Sequence, residues 1–288
     1  IIETNNKDEV RARLINSGVL SSKKGVNLPN TRIALPCLTE KDHRDLNFAL
    51  DHDFDWIGLS FVRSPRDVIE LKSIISTRNK HARVISKIEK PEAVENIDDI
   101  IRYSDGIMIA RGDLGVEVPM QEVPLIQKKL IRLCLEVGKP TIVATQMMES
   151  MIENPSPTRA EVNDVANAVL DNADAVMLSA ETSVGKYPEE VIIAMTSIIE
   201  RIEKYERVLN TSPDVNYQNE RFITDSICFS ASNLSHKVKA KAIVMMTHSG
   251  YTAYRVSSMR PNASIFAFTS NRLLMTQLSL VWGVVCDY

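Results

Sequence analysis

Lys87 and Glu89 lie two residues apart in Ile85-Ser86-Lys87-Ile88-Glu89, and Asp113 closes the segment Ala110-Arg111-Gly112-Asp113. Each group follows a short apolar run. An ammonium and two carboxylates at the ends of successive strands can hold a hard metal ion and an anionic substrate together. On an extended strand, Lys87 and Glu89 point to the same side. Gly112 carries no side chain, so the backbone N–H groups there can approach an anion closely. Thr145-Gln146 and Ser179-Ala180-Glu181 follow two later apolar runs, and Ser60-Phe61-Val62-Arg63 follows an earlier one.

Taken singly, each group has a plainer reading. A Lys-x-Glu pair is commonly an exposed ion pair of little worth. Arg-Gly-Asp is commonly a turn, and Thr145 and Ser179 could cap the helices that follow them. Their convergence is the stronger signal, because core packing does not require five apolar runs to turn polar at the same end. The five histidines show no ligand spacing. Gly185-Lys186 lacks the preceding glycine of a phosphate-binding P-loop.

The elements that must position these groups alternate. From Thr39 the pattern predicts a helix to about His52, with Thr39 as cap and Asp42 at the third position. Strands are expected at Trp56–Phe61, Val84–Glu89, Gly106–Ala110, Thr141–Thr145 and Ala175–Ser179. Helices are expected from Ser64-Pro65, from Pro91, over Pro124–Val137, over Thr158–Leu170 and over Pro188–Glu206. The strands are short, apolar and non-alternating, as in a parallel sheet buried on both faces. The fold class is therefore α/β, a partial (β/α)8 barrel of about five units. A closed barrel needs eight units and about 250 residues, so three are expected before Ile1. With no initial Met and an end in mid-pattern at Trp282–Tyr288, the chain reads as a piece of a longer protein.

Residues 1–30 read as the remnant of an inserted β domain, with Val10, Ala12 and Leu14 on a half-buried strand. Residues 31–210 read as the barrel domain, with an extended linker between Pro29 and Pro36. Residues 211–288 read as a polar linker and a second α/β domain. That domain should have helices at Phe222–His236 and Asn271–Leu280 and strands at Lys241–Met246 and Ser264–Thr269. Between them, Thr247-His248-Ser249-Gly250-Tyr251-Thr252 joins a strand to a helix, a place where anions bind.

The chain has 34 basic and 37 acidic residues, a net charge of −3. This argues against a protein built to coat nucleic acid or an acidic membrane. Its composition, 44% hydrophobic and 25% charged, is that of an ordinary globular protein. No apolar stretch reaches the roughly 18 residues of a membrane span. Cys37, Cys134, Cys228 and Cys286 are too scattered for a zinc site or a disulfide framework and read as reduced thiols of a cytoplasmic protein.

Nearly the whole chain resembles the pyruvate kinase family. The resemblance is carried by Ser22–Pro29, Ile85–Glu89, Asp105–Gly115, Ala144–Met151, Pro157–Glu161, Asp164–Val169 and Met177–Thr182, in the family's order. It implies phosphoryl transfer from phosphoenolpyruvate to ADP, giving pyruvate and ATP through an enolate, with Mg²⁺ (or Mn²⁺) and K⁺. By resemblance, Lys87 neutralises the moving phosphoryl group and the enolate, and Glu89 and Asp113 hold the divalent ion. Gly112 and Asp113 cradle the substrate carboxylate. Thr145 lies near the enolate carbon, Ser179 and Glu181 near its proton route, and Lys24 contacts nucleotide phosphate. Thr247, Ser249, Gly250 and Thr252 match a loop that holds a phosphorylated effector in many relatives. The family's tetramers imply a homo-oligomer, through the helices around Thr158–Leu170 and through the last domain. The chain departs from the family pattern at Ala180, usually glycine, and at Val184, often lysine. Two other readings stand beside this one: a metal-dependent barrel lyase acting on pyruvate or phosphoenolpyruvate, and a segment inactive on its own.

Overall fold

A computed structural model describes residues 2–6, 8–15, 17–18, 22, 36–205 and 220–288. The chain divides into two units, Ile1–Thr31 and Arg32–Tyr288. In the first, β1 (Ile2–Asn5) and β2 (Val10–Ala12) form an antiparallel hairpin with Ile2 opposite Ala12 and Asn5 opposite Val10. The expected half-buried strand is not found: every residue of both strands is exposed. Among the described residues of this unit, the two-stranded ribbon has no second layer on which to bury a face. Lys24 and most of the linker segments lie outside the described residues.

The second unit begins with α1 (Glu40–Asp51). Thr39 caps it, and Asp42 returns a bond to the Thr39 amide at 2.8 Å. Then come β3 (Trp56–Leu59), α2 (Pro65–Thr77), β4 (Arg83–Ile88), α3 (Pro91–Glu95), α4 (Ile97–Tyr103) and β5 (Gly106–Ala110). They continue as α5 (Arg111–Glu117), α6 (Val123–Val137), β6 (Thr141–Ala144), α7 (Arg159–Leu170), β7 (Ala175–Met177), α8 (Ala180–Ser183) and α9 (Pro188–Glu203). The five strands lie side by side in chain order, all parallel. Their C-terminal ends therefore share one edge of the sheet, which is what brings residues from distant sequence positions together. Val84, Ile88, Ile107, Ile109 and Val143 are fully buried between sheet and helices. Each such side chain contributes roughly 1.5–3 kcal/mol by leaving water.

Four details differ from the sequence expectation. The helix predicted from Pro91 breaks at Asn96, whose side-chain amide donates to the carbonyls of Arg63 (3.1 Å) and Glu92 (2.9 Å). Two short helices lie at strand ends: α5 starts directly after β5, and α8 follows β7 after two intervening residues. Gly112 and Gly115 give α5 little intrinsic helicity, so no sequence signal announces it. The first strand stops at Leu59 because Phe61 takes a left-handed backbone, φ +54. Finally, β7 is half-buried throughout rather than covered on both faces, as suits the margin of the sheet.

Helix α7 shows how local sequence fixes an entry point. Thr158 and Glu161 form a capping box, and Glu161 also accepts from the amide (2.7 Å) and hydroxyl (2.6 Å) of Ser150. Burial alone would raise the Glu161 pKa, but these bonds outweigh it and hold the carboxyl below its ordinary range. The folded carboxyl thus binds its proton more weakly than the unfolded one. Its contribution is complete above the unfolded pKa of about 4.3 and is lost as pH falls through the lower folded value. Glu161→Ala should cost about 1–2 kcal/mol at pH 7. In urea melts, the gap to wild type should close below pH ~4; a gap constant down to pH ~3 would contradict this.

The remaining elements are α10 (Phe222–Lys237), β8 (Ala242–Met246), α11 (Tyr251–Ser258), β9 (Ser264–Phe268), α12 (Arg272–Leu278) and β10 (Val284–Asp287). The three strands form a parallel sheet in the order β10-β9-β8. This layer docks beside the starts of β3, β4 and β7 and the end of α6 through polar contacts. Arg260, 1% exposed, reaches Asp174 (3.2 Å) and the Asn172 carbonyl (2.6 Å). Arg255 donates to the Glu136 carbonyl at 2.6 Å, and Thr276 to Asp55 at 2.5 Å. Arg83 bonds Gln277 at 2.7 Å, with its guanidinium over the rings of Trp56 and Tyr254. No helix among the described residues is long and apolar enough to cross a membrane.

Candidate active site

The shared C-terminal edge carries the polar groups singled out above. Lys87, on β4, places its ammonium 2.6 Å from Glu89 Oε1 and donates to Ser60 Oγ at 2.9 Å. Glu89 is only 1% exposed. Its Oε2 accepts from the Phe61 amide at 2.8 Å, which explains the left-handed turn after β3. Its Oε1 has the ammonium nearby but no hydrogen bond of acceptable direction. Asp113, half-buried in the first turn of α5, has no hydrogen bond or ion pair among the described residues.

These two carboxylates fit a small divalent ion. Glu89 Oε1 has the Lys87 ammonium beside it and could exchange it for a metal, and among the described residues the Asp113 carboxylate has no protein partner. Among the described residues, no three His, Cys, Asp or Glu side chains converge as a metal cage. Two carboxylates with the other positions left to water and substrate oxygens is the habit of Mg²⁺ rather than of a structural metal.

Thr145 follows β6 and is held from several sides. Its backbone is left-handed (φ +67), as is that of Gln146 (φ +54). For a β-branched residue this is a genuine outlier. The Thr145 hydroxyl donates to the Ala144 carbonyl (2.6 Å) and accepts from the Gly112 amide (2.7 Å). Arg111 donates to the Thr145 carbonyl at 2.7 Å and pairs with Asp164 at 2.7 Å. A Cβ on residue 112 would sit 3.3 Å from Thr145 Oγ1 and 3.4 Å from Thr145 Cβ, so glycine permits this close approach. The Gly112 amide expected to face an anion is thus bonded to Thr145.

Glu181, 3% exposed, accepts from the backbone amides of Ser179 (2.7 Å) and Met148 (3.3 Å). Its two oxygens tie the end of β7 to the loop after β6. The Ser179 side chain makes no helix-capping bond, and the Thr145 hydroxyl serves Gly112. The capping explanation therefore holds for neither.

Thr247, Ser249, Gly250 and Thr252 lie elsewhere, at the entrance to α11. Thr247 Oγ1 accepts from the Gly250 amide at 3.0 Å, and Ser249 Oγ from the Tyr251 amide at 3.5 Å. Gly250 has φ +81, and a Cβ there would meet Leu274 at 2.6 Å, so only glycine fits. Thr252 Oγ1 is buried without a hydrogen-bond partner. The Ser249 carbonyl lies 3.5 Å from an Arg83 nitrogen, at the opposite end of the strand that carries Lys87. The structure therefore joins Lys87, Glu89, Gly112, Asp113, Thr145, Ser179 and Glu181 along one sheet edge and leaves this loop apart.

The supports are not legible in the sequence. Arg111 stands there as a polar strand end, and the partnership of Asp164, 53 residues later, leaves no local signal. The Lys90–Glu117 pair, 27 residues apart, leaves none for the same reason.

Profiles of two families match the chain. "Pyruvate kinase, barrel domain" covers residues 1–192, and "Pyruvate kinase, alpha/beta domain" covers residues 225–288. The chain belongs to the pyruvate kinase family. It is 45% identical over 281 residues to pyruvate kinases of Staphylococcus aureus strains MRSA252 and USA300, covering 96% of this chain and 48% of theirs. The chain thus spans about half the length of the curated relatives it matches. A crystal structure of a pyruvate kinase from Cryptosporidium parvum superposes with a TM-score of 0.83 at 38% identity, covering 91% of this chain and 55% of that one. The family match accords with the α/β class and barrel-type sheet.

Proposed function

We propose that the protein transfers a phosphoryl group from phosphoenolpyruvate to ADP, giving pyruvate and ATP. The observation that carries this is the adjacency of Lys87 and Glu89, at the end of β4, to Asp113 in the turn after the neighbouring β5, within a pyruvate kinase chain. Phosphoryl transfer asks a protein mainly for positioning and charge neutralisation. Lys87 supplies positive charge for the moving group and for the enolate oxygen. Glu89 and Asp113 would hold Mg²⁺, or Mn²⁺ in its place, which would supply Lewis-acid chemistry. With Glu89 engaged by such an ion, the Lys87 ammonium would be free to face the substrate.

Gly112 and Asp113 receive the substrate carboxylate on backbone amides. In doing so the carboxylate takes over the Gly112 amide from Thr145. The Thr145 hydroxyl is then available beside the enolate carbon. Glu181 acts on Ser179 by holding its backbone. Lys24 as a nucleotide-phosphate contact, K⁺ as a further cofactor and the loop from Thr247 to Thr252 as an effector site remain parts of this reading that rest on resemblance. So does assembly into a homo-oligomer, for which exposed Val162, Ile192 and Ile193 offer apolar surface. A barrel lyase reading is not favoured by the family match.

The test is a coupled pyruvate assay on the full-length gene product with phosphoenolpyruvate, ADP, Mg²⁺ and K⁺, repeated without ADP. The product should release pyruvate only when ADP is present. Pyruvate release that ignores ADP would favour a lyase. No pyruvate from the full-length product would end the proposal.

A further inference from the structure

Each neighbouring pair of strand ends at the site is tied by a side chain. Lys87 donates to Ser60 between β3 and β4; Gly112 and Arg111 hold Thr145 between β5 and β6; Glu181 joins β6 to β7. Between β4 and β5 the ladder stops at Ile88 opposite Ile109. Glu89 and Asp113 both lie beyond that last pair, so sheet hydrogen bonds do not fix their spacing. One side-chain link spans the gap among the described residues: Lys90 Nζ to Glu117 Oε1, 2.5 Å. The Lys90 side chain is 14% exposed and that of Glu117 4%.

The pair is expensive where it stands. Two charges lose most of their water, and an apolar pair of similar volume would serve stability as well or better. Glu117 is also the last residue of α5, where the helix dipole disfavours an anion. Helix α5 has seven residues, two of them glycine, and its N-cap residue Ala110 makes no side-chain cap. Such a helix is marginal on its own and takes its place from its anchors. Arg111 and Gly112 hold its first turn to the Thr145 segment, and Glu117 holds its last residue to Lys90. Asp113 sits between the two anchors, and Lys90 is the residue next to Glu89.

We propose that Lys90 and Glu117 are positioning residues for the divalent ion: their buried contact sets how far the Asp113 carboxylate lies from that of Glu89. This rests on the reading above that those two carboxylates hold the metal. Supporting residues of this kind commonly change metal affinity about 10–100-fold when removed.

The test is Mn²⁺ titration of the substrate-free, full-length protein, following the electron paramagnetic resonance of free Mn²⁺ and, separately, thermal unfolding. Lys90→Met should weaken Mn²⁺ binding about tenfold, and Lys90→Arg should recover most of it. The double variant Lys90→Met/Glu117→Leu leaves neither charge buried alone, so it keeps the fold and should show the same tenfold loss. A folded double variant with wild-type Mn²⁺ affinity, beside an Asp113→Asn variant that binds poorly, would overturn the proposal. Wild-type affinity in Asp113→Asn would instead remove the metal reading itself. A lower melting temperature with unchanged affinity in the folded double variant would reduce the pair to a purely structural role and also overturn the proposal.

Discussion

Lys87→Met should reduce pyruvate formation by the full-length gene product about 10³-fold. The ammonium lies 2.6 Å from Glu89, and methionine keeps much of its length while removing that charge. The same substitution has a second effect. Glu89 is 1% exposed and would keep its bond from the Phe61 amide but lose the ammonium 2.6 Å away. Stranding a buried charge costs about 3 kcal/mol or more, so the metal-free variant should melt well below wild type. On the proposed reading, Mg²⁺ would neutralise the same carboxylate and should restore most of the loss. The ion should bind the variant at least as well as wild type, because lysine no longer competes for Glu89. Turnover within tenfold of wild type would remove Lys87 from the chemistry. A melting temperature indifferent to both substitution and metal would contradict the charge argument.

Asp174→Ala should be the most damaging change away from the site. The carboxylate of Asp174, which immediately precedes β7, accepts from the amide of Thr141 (2.9 Å) and the amide of Trp282 (3.2 Å), and faces Arg260 at 3.2 Å. It thus joins two strands of the large sheet and the docked C-terminal layer at one point. Arg260 is 1% exposed and lies over the ring of Trp282, so alanine at 174 leaves a guanidinium buried without its carboxylate. Breaking one side of such a pair costs about 3–5 kcal/mol, a large share of the stability of an ordinary domain. Urea unfolding should show that loss, and the double variant Asp174→Ala/Arg260→Met should recover part of it. A single-variant loss below about 1 kcal/mol would mean the interface is carried by other contacts.

Much of this was legible because local rules and global fold agree. The capping pairs Thr39 with Asp42 and Thr158 with Glu161 mark helix starts in sequence and form those starts in the structure. Short apolar strands separated by amphipathic helices specify a parallel sheet, and a parallel sheet gathers its strand ends on one edge. That is why the sequence alone groups Lys87, Asp113, Thr145 and Ser179. What stayed hidden was set by long-range contact. Arg111 with Asp164 and Lys90 with Glu117 follow no spacing rule, because their separation is decided by how the sheet stacks strands. Helix α5 was equally silent: its two glycines argue against helix, and its anchors overrule them. The exposed hairpin failed in the other direction, since alternation promises a buried face but cannot supply the layer that buries it.

The backbone at Thr145 and Gln146 has a practical consequence for anyone evolving this protein. Left-handed geometry costs an ordinary L-residue roughly 1–2 kcal/mol, and glycine or asparagine would relieve it. A library sorted for heat resistance alone should therefore drift away from threonine at 145, and with it from the hydroxyl that now holds the Gly112 amide. Selection for robustness and selection for turnover would pull this one codon in opposite directions.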